Sequence, residues 1–198
     1  MSLYNRIAYQ KRKYDLRKIE IPPVDNIIFS ENSSEHWPFL FVDGLNVLDL
    51  GIGRWGVNKI EETSPVFFKN KNAKKIIGID CDKNEVDFFE KYFSNNYSDE
   101  SVFQCMFIKE SNDLSFLISK HEINAIKCDI EGEEINLFKL KLQNYEALKH
   151  IAVEYHSPVL LRQLLSVNNS QWKFNVLNHS IFSQNLNMGV VTLSRVNG

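Results

Sequence analysis

Five short runs rich in Val, Ile or Phe, each followed by a stretch of helical spacing, restrict the fold of this chain more than any other feature. They lie at Asn46–Leu50, Lys75–Asp80, Val102–Ile108, Ala125–Asp129 and Ile151–Tyr155, and their lengths suit strands buried on both faces of a parallel sheet. Helical patterns fall between and after them, at Asn58–Thr63, Asn84–Ser94, Leu114–His121, Glu133–Leu148 and Pro158–Ser166. Repeated alternation of strand and helix predicts a mostly parallel α/β sheet with helices on both faces, since each crossover returns the chain to the same sheet. The end of the chain departs from this rule. Trp172–Leu177 and Gly189–Arg195 are strand-like and joined by polar residues without helical spacing, which predicts a C-terminal antiparallel hairpin.

At 198 residues the chain is long enough for one α/β domain with a core and too short for two. The expected division is an N-terminal helical and loop extension, residues 1–40, covering the site, ahead of a domain over 41–198. Net charge is −2, from 23 basic and 25 acidic residues, so no global field draws nucleic acid or an anionic membrane. No apolar run reaches the length of roughly 18 residues that a membrane span needs, and a cytoplasmic location is expected. Cys81, Cys105 and Cys128 form no C-x-x-C pair, so neither a disulfide framework nor a zinc knuckle is suggested.

The first run opens into NVLDLGIGRWG, whose Gly51, Gly53 and Gly56 have the G-x-G-x-x-G spacing of a dinucleotide-binding turn. Glycines there let backbone approach a ligand without interference from a Cβ, whether or not the ligand carries phosphate. Asp49, just before the turn, would repel a pyrophosphate but would suit an ammonium or sulfonium. Asp80 closes the second run, where a carboxylate can accept hydrogen bonds from both hydroxyls of a ribose. An adenosine ligand with a cationic tail is S-adenosylmethionine. The expected cofactor contacts are Asp49, Gly51, Gly53 and Asp80, with Glu131 beside them.

Period-two geometry in IKCDIEG sends Lys127, Asp129 and Glu131 to one side, and in AVEYHS it does the same for Glu154 and His156. If the two strands are neighbours, Asp129, Glu131, Glu154 and His156 meet at one cleft edge beside the cofactor. A blander account leaves Glu131, Glu133 and Glu134 to favour a helix N-terminus and His156 to cap the next helix.

NVLDLGIGRWG, IIGID, IKCDIEGEEINLF and IAVEYHS together resemble the FkbM family of S-adenosylmethionine-dependent methyltransferases, whose mark is a Lys-x-Asp-x-Glu-Gly stretch, here Lys127 to Gly132. The resemblance covers roughly residues 45–195. It implies the Rossmann-like methyltransferase fold, a seven-stranded, mostly parallel sheet with an antiparallel last strand, and O-methylation of a sugar, polyketide or other small hydroxylated molecule. Family members commonly carry Asn-x-Gly in the glycine loop and Glu-Pro after the second strand, where this chain has Ile52-Gly53-Arg54-Trp55 and Asp80-Cys81-Asp82.

A hydroxyl is a poor nucleophile near neutral pH until a base takes its proton. His156 is the expected base, oriented by Glu154 or Asp129. In a competing version Asp129, Glu154 and His156 hold a divalent ion that acidifies the hydroxyl. Other readings are an RNA methyltransferase gripping phosphate with Lys11, Arg12, Lys13, Arg17 and Lys18, a methyltransferase-like binding domain without catalysis, and a nicotinamide-dependent oxidoreductase.

Overall fold

The β-branched and apolar runs form strands at the expected places. In the computed structural model, which describes residues 27–30, 42–54, 57–98, 100–130, 132–157, 159, 160, 163, 171–178 and 189–196, these are β2 (Asn46–Leu50), β3 (Lys75–Asp80), β4 (Val102–Cys105), β5 (Ala125–Cys128), β6 (His150–Tyr155), β7 (Trp172–Asn178) and β8 (Gly189–Arg195). An eighth strand, β1 (Ile27–Ser30), stands in the stretch assigned to the N-terminal extension and pairs with β7. The remainder of that extension, residues 1–26 and 31–41, lies outside the described residues.

The sheet order is β1-β7-β8-β6-β5-β2-β3-β4. β2 to β6 run parallel, and β8 is antiparallel to both β6 and β7, which gives the expected hairpin. The chain moves outward from β2 to β3 and β4, then crosses back to place β5 on the other side of β2. Strand order therefore reverses between β2 and β5, and a crevice opens beyond their carboxyl ends, where open α/β sheets bind ligands.

Alternation along the strands divides the core. Leu48, Leu50, Ile77, Ile79, Ile126 and Ile151 face one side, against α3 (Ser111–Lys120) and α4 (Ile135–Phe138). Val47, Ile76, Ala125 and Ala152 face the other, against Phe68 of α1 (Ser64–Asn70) and Phe89 of α2 (Lys83–Asn96). Helices thus cover both faces. No helix among the described residues is long and apolar enough to cross a membrane.

Two helical expectations are corrected. Asn58–Thr63 holds only a 3-10 turn, Ile60–Glu62, and the helix proper is α1, which begins one residue before Pro65. Proline suits the first helical turn, where its missing N–H has no partner to lose. Glu133–Leu148 is not one helix but α4 and a 3-10 turn, Leu142–Asn144. Arg195 explains the break: its guanidinium donates to the carbonyls of Leu142, Tyr145 and Leu148, satisfying oxygens that a continuous helix would bond internally. Of the pattern at Pro158–Ser166, only residues 159, 160 and 163 are described, and they are helical. Because charged donors make the stronger hydrogen bonds, Arg195→Ala is expected to lower the unfolding free energy by about 2 kcal/mol in urea titration; a change under about 0.5 kcal/mol would remove this residue from the account.

Candidate active site

Backbone contacts at the reversal point draw three strand ends together. The Gly51 N–H donates to the Ile79 carbonyl at 2.9 Å, and the Asp129 N–H to the Leu50 carbonyl at 3.0 Å. Gly51 has φ +80°, and a Cβ on it would stand 1.8 Å from the Asp129 carbonyl oxygen. Glycine is therefore required here by the approach of β5 as well as by backbone conformation. The loop that follows is fastened to α2: Arg54 donates to Glu85 at 2.7 Å and lies 3.7 Å over the Phe88 ring. Gly56 lies outside the described residues.

Asp49 does not line the crevice. It is fully buried on β2, directly across from Lys127 on β5, whose ammonium is 3.3 Å from Asp49 Oδ1 and 3.9 Å from Asp129 Oδ2. Lys127 Nζ also donates to the carbonyls of Leu50 and Gly51. Burial pushes the Asp49 carboxyl above its usual range while Lys127 pulls it down. For Lys127, burial works against the charge, but Asp49 and Asp129 outweigh it and the ammonium is held protonated. The negative charge expected to meet a cationic ligand is thus taken up by a neighbouring strand, a partner that the local sequence around Asp49 does not show.

A cavity of about 300 Å³ occupies the crevice, at the small end of the range for small-molecule sites. Gly51 and Gly53 form one side and Asp80 another, with Met106, Phe107 and Ile108 supplying apolar surface. Phe107, half exposed, follows β4 in a stretch expected to continue that strand. The Asp82 N–H donates to Asp80 Oδ1 at 2.9 Å, which holds that carboxylate at the strand end. Asp129 and Glu133 bring two more carboxylates to the wall. Glu131, expected among the cofactor contacts, lies outside the described residues.

Asp129, Glu154 and His156 converge as the strand pattern predicts. β5 and β6 are parallel neighbours, and one ligand atom from each of the three residues lies within 4.8 Å of the others. His156 Nε2 is 3.9 Å from Asp129 Oδ1 and 4.0 Å from Glu154 Oε1. The orienting hydrogen bond comes from elsewhere than expected: His156 Nδ1 lies 3.0 Å from Glu134 Oε1. Glu134 is fully buried, and its other oxygen accepts the Gly132 N–H at 2.6 Å. With Nδ1 engaged by Glu134, Nε2 is the ring nitrogen that faces Asp129 and Glu154. Local sequence assigned Glu134 only a helix-terminus role, because its partner His156 stands just past the end of β6.

No family model matches the chain, and no curated protein matches it. Among solved structures, an rRNA methylase from Streptococcus thermophilus superposes with a TM-score of 0.51 at 11% identity, over 79% of this chain and 90% of that one. A candidate rRNA methylase from Clostridium thermocellum gives 0.55 at 14% identity, over 78% and 88%. An uncharacterized protein from Listeria monocytogenes serotype 4b gives 0.55 at 13% identity, over 84% and 70%. The chain has the Rossmann-like fold shared with these proteins.

Proposed function

We propose that this chain is an S-adenosylmethionine-dependent methyltransferase of FkbM type that O-methylates a small hydroxylated molecule. One observation carries the reading. Asp129 belongs both to the cavity wall and to the His156 cluster, so an acceptor held at the cluster lies against whatever fills the cavity.

The residues present fit that cofactor. Asp80 stands where a strand-end carboxylate accepts from ribose hydroxyls, and Gly51 and Gly53 bring backbone to the cavity wall. Met106, Phe107 and Ile108 offer an apolar wall to the base. Three carboxylates, Asp80, Asp129 and Glu133, border the cavity, a lining that opposes a pyrophosphate and favours a cationic tail. This lining takes over the part expected of Asp49. S-adenosylmethionine supplies an electrophilic methyl group, and transfer then depends mainly on positioning. The acceptor hydroxyl must lose its proton, and the cluster of Asp129, Glu154 and His156 is where it does so. An RNA acceptor is the competing reading; the basic residues on which it rests, Lys11 to Lys18, lie outside the described residues.

Calorimetric titration with S-adenosylhomocysteine, with NAD in parallel, tests the cofactor. Micromolar binding of the former alone is expected, weakened at least tenfold by Asp80→Ala; binding of NAD alone, or of neither, overturns the reading. His156→Ala is expected to leave S-adenosylhomocysteine affinity within threefold and to lower turnover of the true acceptor by roughly 10²–10⁴-fold, the range for loss of general acid–base chemistry. Undiminished turnover would remove His156 from the mechanism.

A further inference from the structure

We propose that Asp129, Glu154 and His156 bind one divalent metal ion of the Mg²⁺ or Mn²⁺ class. The inference rests on the methyltransferase reading only for the acceptor it implies, not for the ion itself. Two carboxylates and an imidazole arrive from adjacent strand ends with their ligand atoms within 4.8 Å of one another. Metal–ligand bonds of about 2.1 Å in an octahedral site put neighbouring donors about 3.0 Å apart and opposite donors about 4.2 Å apart. The separations of 3.9 and 4.0 Å from His156 Nε2 to Asp129 and Glu154 fall between these values, so an ion needs only small side-chain rotations to complete the set.

Two further features suit an ion. Glu134 fixes the imidazole through Nδ1, the arrangement by which a second carboxylate aims a histidine at a metal and strengthens it as a ligand. Charge also favours it: among the described residues, Asp49, Asp129, Glu134 and Glu154 are four carboxyl groups linked through contacts with Lys127 and His156. The three ligand residues are half-buried, with side-chain exposures of 28%, 17% and 19% for Asp129, Glu154 and His156, where attraction to a divalent cation is screened less than at an open surface.

Three protein ligands leave about three of six positions for the acceptor and water. That coordination selects an acceptor with two adjacent oxygen donors, a vicinal diol or a hydroxy acid. An ion held there would lower the pKa of a hydroxyl beside it, so that the O–H proton passes to solvent water and the oxygen's electron pair forms the O–C bond to the cofactor's methyl while the S–C bond breaks and the sulfur leaves with its pair as a neutral thioether. His156 acts in this scheme as a ligand, which preserves the expected loss on His156→Ala.

The test is Mn²⁺ titration of the chelator-treated full chain, followed by electron paramagnetic resonance, alongside S-adenosylhomocysteine calorimetry on the same samples. One Mn²⁺ per chain is expected, competed by Mg²⁺ and weakened at least tenfold in both Glu154→Gln and His156→Ala. Retained S-adenosylhomocysteine binding in each variant reports that it is folded. Failure to bind Mn²⁺ up to millimolar concentration, or binding unchanged in both variants, overturns the metal site and leaves the cofactor reading standing. A variant-sensitive Mn²⁺ site in a wild-type chain that ignores S-adenosylhomocysteine supports the metal site and overturns the cofactor reading.

Discussion

Lys127→Met is expected to lower the unfolding free energy by about 3–5 kcal/mol, the cost of breaking a buried ion pair from one side. The substitution keeps the aliphatic stem and removes the ammonium that stands 3.3 Å from Asp49. It leaves a fully buried carboxyl, whose pKa burial already raises, without its largest compensating charge. The defect has a definite pH signature. In the variant the folded state holds the Asp49 proton more tightly than the unfolded chain does, so stability is greatest at acidic pH and declines as pH rises above the ordinary carboxyl range. Replacing both partners, Asp49→Leu with Lys127→Met, is expected to recover much of the loss, because neither charge is then buried alone. Urea titrations of the two variants at pH 5 and pH 8 measure both effects. A single variant within 1 kcal/mol of the wild type would show that the pair does not hold β2 against β5.

Gly51→Ala is expected to abolish S-adenosylhomocysteine binding and to destabilise the fold by more than about 4 kcal/mol, the range reserved for overpacking or strain with no room to relax. The new Cβ would stand 1.8 Å from the Asp129 carbonyl oxygen and 2.9 Å from its carbonyl carbon. Both are backbone atoms, which a rotamer change cannot move. β2 and β5 would have to part at the point where cavity and cluster meet. Gly44→Ala is the control, because Gly44 also has positive φ, +68°, but a Cβ there meets nothing within 4 Å. It isolates the cost of conformation alone, about 1–2 kcal/mol. Equal losses from the two substitutions, read by thermal melts and calorimetry, would make conformation rather than contact the reason for Gly51.

β2, β3, β5 and β6 were legible because each is a run that a two-sided sheet buries, and β2, β3 and β8 fall at the expected bounds, whereas β4, at the sheet edge with Phe103 alone buried among its four residues, stops at Cys105 instead of Ile108. The meeting of Asp129 with Glu154 and His156 was legible for the same reason, since period two and strand adjacency suffice to bring them together. Asp49 and Glu134 were not. Each acquires its meaning from a partner on another element, Lys127 for one and His156 for the other, and local sequence carries no register. α1 lies just beyond the expected Asn58–Thr63, with Pro65 in its first turn, where proline loses no hydrogen bond. β1 was passed over as part of a loop-rich extension, and its partner β7 lies near the opposite end of the chain.

That pairing sets an order of events during synthesis. Ile27 aligns with Phe174, and β7 is itself held by β8, which ends at Arg195. β2 to β6 can assemble as they leave the ribosome, since their crossovers are short. The strip formed by β1, β7 and β8 cannot close until Arg195 has emerged, and until then the β6 edge stays open to pairing with another chain.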